Sequence, residues 1–195
     1  INDAKTSCGT CADGQYQNLN QQTGCKSDCA AGSSINDAKT SCGTCADGQY
    51  QNQPNQIGCK DNCNPGSSIN TDKTTCTQCD TGQYQFQPDQ TGCINCGKGK
   101  YNNAYGSASA IDCISCDPGF YSANLTAIEC KKCDAGTAYP EPGAQAKSNC
   151  TNCLKGKYNK ERGQPNCKNC GTGKWSAQPE ATSEDVCKDC GKGKY

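Results

Sequence analysis

Residues 1–18 read INDAKTSCGTCADGQYQN, and the same eighteen letters return at residues 35–52. A looser copy, INTDKTTCTQCDTGQYQF, occupies residues 69–86. Each copy contains two cysteines with two residues between them, then a glycine, then a tyrosine. Self-similarity at a fixed period of 34 residues indicates a stacked repeat architecture, in which each repeat lies against its neighbours.

The cysteine pairs extend this pattern over the whole chain. All 22 cysteines fall into eleven doublets, and none lies outside one. Each doublet is followed by a glycine, and eight doublets carry an aromatic residue two positions after it. The doublets begin at Cys8, Cys25, Cys42, Cys59, Cys76, Cys93, Cys113, Cys130, Cys150, Cys167 and Cys187.

The spacing of the doublets predicts two regions. Residues 1–95 are 34-residue double repeats, in which every second doublet opens to Cys-x-x-x-Cys and carries Ser-Ser in place of the aromatic. Residues 96–195 are longer, 37-residue double repeats with inserts rich in Ala, Ser and Glu. We expect small disulfide-rich repeats that form an elongated rod, with short β-hairpins and little or no helix.

Composition excludes a conventional apolar core. Leu, Ile, Val and Phe number 14 of 195 residues, about 7%, where chains below roughly 20% are expected not to collapse. Cysteine, by contrast, exceeds the roughly 8–10% that marks a disulfide scaffold. Covalent cross-links must therefore replace the missing core.

We predict that the second cysteine of each doublet bonds the first cysteine of the next. Each bridge would then close a loop of roughly 15 residues and contribute about 3 kcal/mol on the chain-entropy account. Cys8 and Cys190 are left without a partner, as expected for a segment of a longer array. The ten predicted pairs are Cys11–Cys25, Cys29–Cys42, Cys45–Cys59, Cys63–Cys76, Cys79–Cys93, Cys96–Cys113, Cys116–Cys130, Cys133–Cys150, Cys153–Cys167 and Cys170–Cys187.

Zinc binding is the alternative use of such cysteines. Two doublets separated by about 13 residues resemble a zinc ribbon. Eleven doublets cannot be divided into four-cysteine sites without a remainder, however, and the chain has no histidine. No βαβ pattern surrounds the doublets, which argues against a redox motif. We therefore favour disulfides and expect neither a metal nor a cofactor.

The doublet with its glycine and aromatic resembles a known module. CISCDPGFY (113–121), CTNCLKGKY (150–158) and CKNCGTGKW (167–175) are similar to the ephrin-receptor-like cysteine-rich repeat, and more distantly to the cysteine-rich modules of tumour-necrosis-factor and growth-factor receptors. Long tandem arrays of this kind are similar to large surface proteins of algae, ciliates and other protists. The resemblance implies an elongated extracellular stalk.

The cysteine content predicts the compartment independently. Disulfides at this density persist only in secreted or lumenal proteins, so we expect an extracellular or cell-surface location. A signal peptide or membrane anchor would lie outside these residues. Asn124 and Asn149 begin N-glycosylation sequons, although the middle residue of the second is Cys150, which we expect to be bonded.

The residues do not point to catalysis. There is no histidine, no nucleophile placed beside a base and no phosphate-binding loop. The net charge of zero and the dispersed lysines argue against nucleic-acid binding. We expect a structural protein, a stalk or glycosylated surface filament that self-associates or attaches to other surface proteins.

The alternative is a receptor or adhesin ectodomain that grips a protein or glycan ligand. Its best candidate loops lie around Tyr139–Pro142 and Arg162, the only arginine. Charge also divides the chain: residues 1–95 carry 5 Lys and 9 Asp, a net of −4, and residues 96–195 carry 14 Lys or Arg and 10 Asp or Glu, a net of +4. This difference in net charge reflects either sequence drift between repeats or a head-to-tail assembly in which the oppositely charged regions attract each other.

Overall fold

The computed structural model describes residues 8–194. The chain divides into two compact bodies whose boundary is interleaved. The first body contains the described residues up to Asp80, with Tyr84–Ile94 and Tyr105–Ser109. The second contains Thr81–Gln83, Asn95–Ala104 and the described residues from Ala110 onward. Each body is a series of similar hairpin repeats.

Sixteen short strands form eight two-stranded antiparallel sheets in the described residues, each pairing one strand with the next along the chain. Two further hairpins are single bridges, Tyr16 with Lys26 and Tyr50 with Lys60. Residues 8–194 contain no α-helix, which confirms the expected small repeats of short β-hairpins with little or no helix. The strands are β1 Ser33–Ile35, β2 Cys42–Thr44, β3 Ser67–Ile69, β4 Cys76–Gln78, β5 Gln83–Tyr84, β6 Ile94–Asn95, β7 Lys100–Tyr101, β8 Ile114–Ser115, β9 Phe120–Tyr121, β10 Lys131–Lys132, β11 Thr137–Ala138, β12 Thr151–Asn152, β13 Lys157–Tyr158, β14 Lys168–Asn169, β15 Lys174–Trp175 and β16 Lys188–Asp189.

Each hairpin is built from the same two parts of the repeat. Its first strand follows the glycine, and its second lies at the next cysteine doublet. In the first body, for example, β1 pairs with β2 so that Ile35 faces Cys42, and Cys42 is bonded to Cys29. An isolated hairpin of this size is marginal in water, so the bridge holds each one closed.

The inserts of the longer repeats contain three short 3₁₀ turns. These are Ala110–Asp112, Lys147–Asn149 and Glu184–Val186. Each turn immediately precedes the first cysteine of a doublet, at Cys113, Cys150 or Cys187. The extra residues therefore form a local turn, so that the cysteine that follows still lies within bonding distance of its partner.

The buried positions are mostly cysteine and small or polar residues. The second cysteine of the doublet is the most consistently buried, as at Cys29, Cys63 and Cys133, each 0% exposed. The residue after the aromatic is also buried, although it is polar, as at Gln51 and Asn159. Polar side chains are tolerated there because their amides are hydrogen-bonded: Nε2 of Gln51 donates to the Gly58 carbonyl and Nδ2 of Asn159 donates to the Thr137 carbonyl, each at 2.9 Å.

Backbone hydrogen bonds join successive repeats within each body. In the first body, the N–H of Gly32 donates to the carbonyl of Gln51 at 2.8 Å, and the N–H of Gln51 donates to the carbonyl of Lys73 at 2.9 Å. In the second body, Gly99 and Ser122 make the equivalent bonds, to Ser122 and Ala144, at 2.8 and 2.9 Å. Each repeat therefore bonds to the one after it.

The glycine after each doublet combines two roles. Gly66 has a φ of +84° and Gly156 has a φ of +77°, in the left-handed region that side chains with a Cβ avoid. A Cβ on Gly66 would also lie 2.2 Å from the carbonyl oxygen of Gly106, whereas a Cβ on Gly156 would meet nothing within 4 Å. Gly156 is therefore required only for its backbone conformation, whereas Gly66 is required both for its backbone conformation and for the close approach of a neighbouring backbone.

This difference predicts unequal costs for the same substitution. Gly156→Ala should cost only the left-handed backbone penalty of about 1–2 kcal/mol. Gly66→Ala should cost that amount and about 1–3 kcal/mol more, because the methyl group forces the backbones apart. Amide hydrogen exchange measures both locally, at the Cys79 N–H that donates to Gly66 and the Cys170 N–H that donates to Gly156. Equal loss of protection at the two amides would contradict the close approach at Gly66.

Candidate functional surface

Ten disulfides form a continuous ladder through the described residues. The structure brings together each of the ten predicted pairs, from Cys11–Cys25 to Cys170–Cys187, with Cα–Cα distances of 5.3–5.8 Å. The bridged cysteines are 13, 14 or 17 residues apart. Cys8 and Cys190 are unpaired. Residues 8–194 contain no group of three side chains arranged to hold a metal ion.

The residue after the first cysteine of a doublet covers the aromatic of the preceding repeat. The ammonium of Lys26 lies 5.9 Å from the centre of the Tyr16 ring, and that of Lys60 lies 5.8 Å from the Tyr50 ring. The aliphatic part of a lysine can cover apolar surface while its charge stays in water. The motifs quoted above do not predict this pairing, although the recurrence of Lys or Ile directly after the first cysteine signals it.

The same cross-strand pairing continues in the second body. Directly opposed residues of an antiparallel pair project from the same face. The register pairs Tyr121 with Lys131, Tyr158 with Lys168, and Trp175 with Lys188. At Tyr101 the opposed residue is Ile114. A positively charged or aliphatic residue therefore stands beside most of the repeat aromatics.

Two lysines of the first body are held inside the array. The ammonium of Lys39 donates to the carbonyl of Cys11 at 2.9 Å and to the carboxylate of Asp13 at 2.8 Å. Lys73 repeats both contacts one double repeat later, with Cys45 at 2.7 Å and Asp47 at 2.9 Å. These contacts hold the pKa of Asp13 and of Asp47 below the ordinary value. These ion pairs join residues that lie 26 positions apart, and no motif in the sequence predicts them.

A cluster of three charges takes a similar position in the second body. Asp134 accepts from Lys147 at 2.7 Å and from Arg162 at 2.9 Å. The hydrogen bond and charge of Lys147, followed by those of Arg162, hold the pKa of Asp134 below its usual range. The same contact raises the pKa of Lys147. Arg162, a candidate ligand residue in the sequence, thus forms an ion pair within the chain.

Two tyrosines have a raised pKa. The hydroxyl of Tyr16 donates to Asp28 at 2.8 Å, and this hydrogen bond to a carboxylate raises the pKa of the phenol. Burial, and then a hydrogen bond to Glu184, raises the pKa of Tyr158. Both phenols therefore remain protonated at neutral pH and act as hydrogen-bond donors.

The two sequon asparagines have different surroundings. Asn124 is exposed in a turn. The side-chain oxygen of Asn149 accepts from the backbone N–H groups of Gln145 and Ala146, at 3.1 and 2.9 Å, and so caps the second 3₁₀ turn. Its neighbour Cys150 is bonded to Cys133. The fold therefore engages the side chain of Asn149 and the sulfur of Cys150 in the second sequon, whereas Asn124 stays exposed.

The ladder of bridged hairpins defines a tandem disulfide-rich repeat array of the kind found in extracellular proteins. A family model described as tyrosine-protein kinase ephrin type A/B receptor-like matches three successive segments, residues 66–113, 104–150 and 145–190. These segments span more than half of the chain, which therefore belongs to this ephrin-receptor-like family. No curated protein matches the chain significantly.

The family and the disulfides together indicate an extracellular location. None of the helical segments in residues 8–194 has the length and hydrophobicity needed to cross a bilayer.

We predict that Asn124 carries an N-glycan when the chain is secreted and that Asn149 does not. Rapid bonding of Cys150 and capping by Asn149 should withdraw the second acceptor, whereas the turn at Asn124 stays accessible. Glycopeptide mass spectrometry, with glycosidase digestion in heavy-oxygen water, measures occupancy at each site. As a control, Cys133→Ser leaves Cys150 unbonded and should raise occupancy at Asn149. Full occupancy of Asn149 in the unaltered chain would contradict the prediction.

The charge cluster predicts a titration. Because Lys147 and Arg162 favour the ionised carboxylate, Asp134 should titrate below the value of about 3.9 for an unperturbed Asp. Its contribution to stability is then present above that pH and is lost as the pH falls through the lowered pKa. NMR detection of the carboxyl carbon measures the midpoint. Lys147→Gln should raise the midpoint more than Arg162→Gln, and the reverse order would show that Arg162 is the dominant partner.

Proposed function

We propose that the chain is a structural segment of an extracellular surface protein, a stalk or a subunit of a glycosylated filament. The observation that carries this proposal is the repetition of identical contacts along the first body. The Lys39–Asp13 pair at 2.8 Å recurs as Lys73–Asp47 at 2.9 Å. Repeats with the same contacts and nearly the same sequence present the same surface, which suits a fibre that associates with copies of itself or with other surface proteins.

The ladder suits this role mechanically and chemically. Each bridge limits local unfolding to one loop, so that opening one repeat leaves its neighbours closed. Many of the interactions between adjacent repeats are backbone hydrogen bonds, which depend little on side-chain identity. A stalk built in this way tolerates surface substitution without losing its geometry.

We propose further that the chain has no catalytic activity. The chain contains no histidine. The shifted pKa values in residues 8–194 follow from a charged partner, except that of Tyr158, for which burial is the first cause and Glu184 the second. Five grooves in that part of the chain are open to solvent, with volumes of about 170 to 460 Å³.

A receptor or adhesin ectodomain is the second candidate. It is favoured by one observation, the irregular segment Tyr139–Pro142. Tyr139 lines a polar groove, while Glu141 and Pro142 are exposed at the surface. A site present once in the array would suit a ligand better than a fibre.

Electron microscopy of negatively stained native material tests the proposal. We expect ordered fibres or thin stalks on the cell surface, labelled by antibodies to this chain. Dispersed particles that capture a soluble ligand would instead support the receptor. Small-angle X-ray scattering of the isolated 195-residue chain provides a check on shape, since a compact domain of this length has a radius of gyration of about 16 Å. A stalk requires a distinctly larger value.

A further inference from the structure

Lysines have opposite roles in the two bodies. In the first body, all four described lysines are engaged. Lys39 and Lys73 each donate to a backbone carbonyl and a carboxylate. Lys26 and Lys60 lie beside tyrosine rings. Their ammonium groups also donate to Asn18 and Asn52, at 2.8 and 2.6 Å. The first body therefore offers no unoccupied ammonium group within its described residues.

The second body presents its lysines to solvent. Thirteen lysines lie between residues 96 and 194. Of these, only Lys147 and Lys174 have a carboxylate within 4.0 Å among the described residues. The others stand at recurring positions, as in Lys98-Gly-Lys100-Tyr101 and Lys155-Gly-Lys157-Tyr158. Exposed ammonium groups without a carboxylate partner thus recur on the repeats of this body, including those of Lys131, Lys168 and Lys188, which lie opposite aromatic residues.

One of these lysines borders a polar groove. Gly99 and Gly143 approach so closely that a Cβ on Gly99 would lie 2.3 Å from the Gly143 carbonyl oxygen. The groove formed there has a volume of about 460 Å³ and is lined by Lys98, Tyr139, Gln145 and Ser148, among others. The side chains of these four residues make no hydrogen bond or ion pair with the described residues. The groove therefore combines one cation with neutral donors and acceptors beside an aromatic ring.

We propose that the lysine-bearing surface of the second body binds a linear acidic polysaccharide, with one sugar seated in the groove at Lys98. A sugar ring carries many hydroxyl groups and, in acidic polysaccharides, a sulfate or carboxylate. Gln145 and Ser148 match the hydroxyl groups, Lys98 matches the anionic group, and Tyr139 offers an aromatic face. Lysines elsewhere on this body, such as Lys155 and Lys157, meet further anionic groups of the same polymer, whose negative potential attracts a basic surface.

The observations favour an outside polymer over a second copy of this chain. A second copy would offer its own carboxylates, and several of those in its first body are already engaged. Asp13 and Asp47 are already paired with lysines, Asp28 accepts from Tyr16, and Asp89 accepts from the Cys63 N–H at 2.8 Å. Half of the eight aspartates between residues 8 and 95 are thus occupied. The proposal does not depend on whether the protein is a filament or a receptor.

The test is a binding measurement on the whole chain at 0.15 M salt, a concentration that screens weak surface charge. Heparin and dextran sulfate serve as sulfated probes, polygalacturonate as a carboxylated probe, neutral dextran as a blank and inorganic polyphosphate as a non-sugar polyanion. We expect binding to at least one acidic polysaccharide and none to neutral dextran. Whether the sulfated or the carboxylated probes bind identifies the anionic group.

Matched variants separate the surface from general charge. Lys98→Gln should weaken binding roughly two- to fivefold, as expected for one exposed ion pair. Lys155→Gln/Lys157→Gln should weaken it further, whereas Lys26→Gln/Lys60→Gln, with the same change in net charge, should have no effect. Gln145→Ala should weaken binding of the polysaccharide and leave polyphosphate binding unchanged. Unaltered disulfide content by mass spectrometry shows that each variant is folded.

Three outcomes would overturn the proposal. The first is the absence of polysaccharide binding, including the case in which sedimentation shows salt-sensitive self-association instead. The second is an equal effect of the second-body and first-body lysine variants. The third is polyphosphate binding as tight as that of the sugars together with no effect of Gln145→Ala, which would describe a general polyanion surface.

Discussion

A disulfide between the second cysteine of one doublet and the first cysteine of the next is the constraint on which the rest of the structure depends. Two-residue strands cannot hold a hairpin together in water. Closing a loop of this length in the unfolded chain is worth about 3 kcal/mol per bridge, and the chain has few apolar side chains to supply that stability otherwise. With the hairpin fixed, the glycine turn and the backbone hydrogen bonds to the next repeat are fixed as well.

The fold was largely predictable from the sequence because its determinants are few and recur in the same order at regular spacing. The doublets, the following glycine and the 34-residue period specify the bridges and the hairpins. The contacts between repeats were not predictable in the same way. Lys39 and Lys73 look like solvent-exposed charges, yet they bind backbone carbonyls 28 residues earlier in the chain. Gln51 is buried although hydropathy places it outside. Such roles depend on three-dimensional proximity, which spacing alone does not encode.

The candidate site shows the same limit more clearly. Arg162 stands out in the sequence as the only arginine, but its partner Asp134 lies 28 residues away and no motif links the two. Asn149 matches a glycosylation sequon, although its side chain caps a 3₁₀ turn. The groove at Lys98 depends on the approach of Gly99 to Gly143, two repeats apart in the sequence. A rare residue or a short motif therefore identifies a candidate, and only packing between repeats assigns its role.

Repeats that lack the aromatic show how far the ladder tolerates substitution. In the Ser-Ser repeats an isoleucine follows one position later, and Ile35 and Ile69 are buried, at 0 and 1% exposed. The aliphatic side chain thus occupies the buried position, three residues after the glycine, that Gln51 and Asn159 occupy in repeats with an aromatic, and Ile35 packs there against Tyr16 and Cys29. The cysteines of the two Cys-x-x-x-Cys doublets, which begin at Cys25 and Cys59, still bond to the doublets before and after them in the same order. Because the bridges fix the backbone, one buried side chain per repeat suffices and its identity can vary. The fold therefore continues through residues 25–63, which lie outside the segments that match the family.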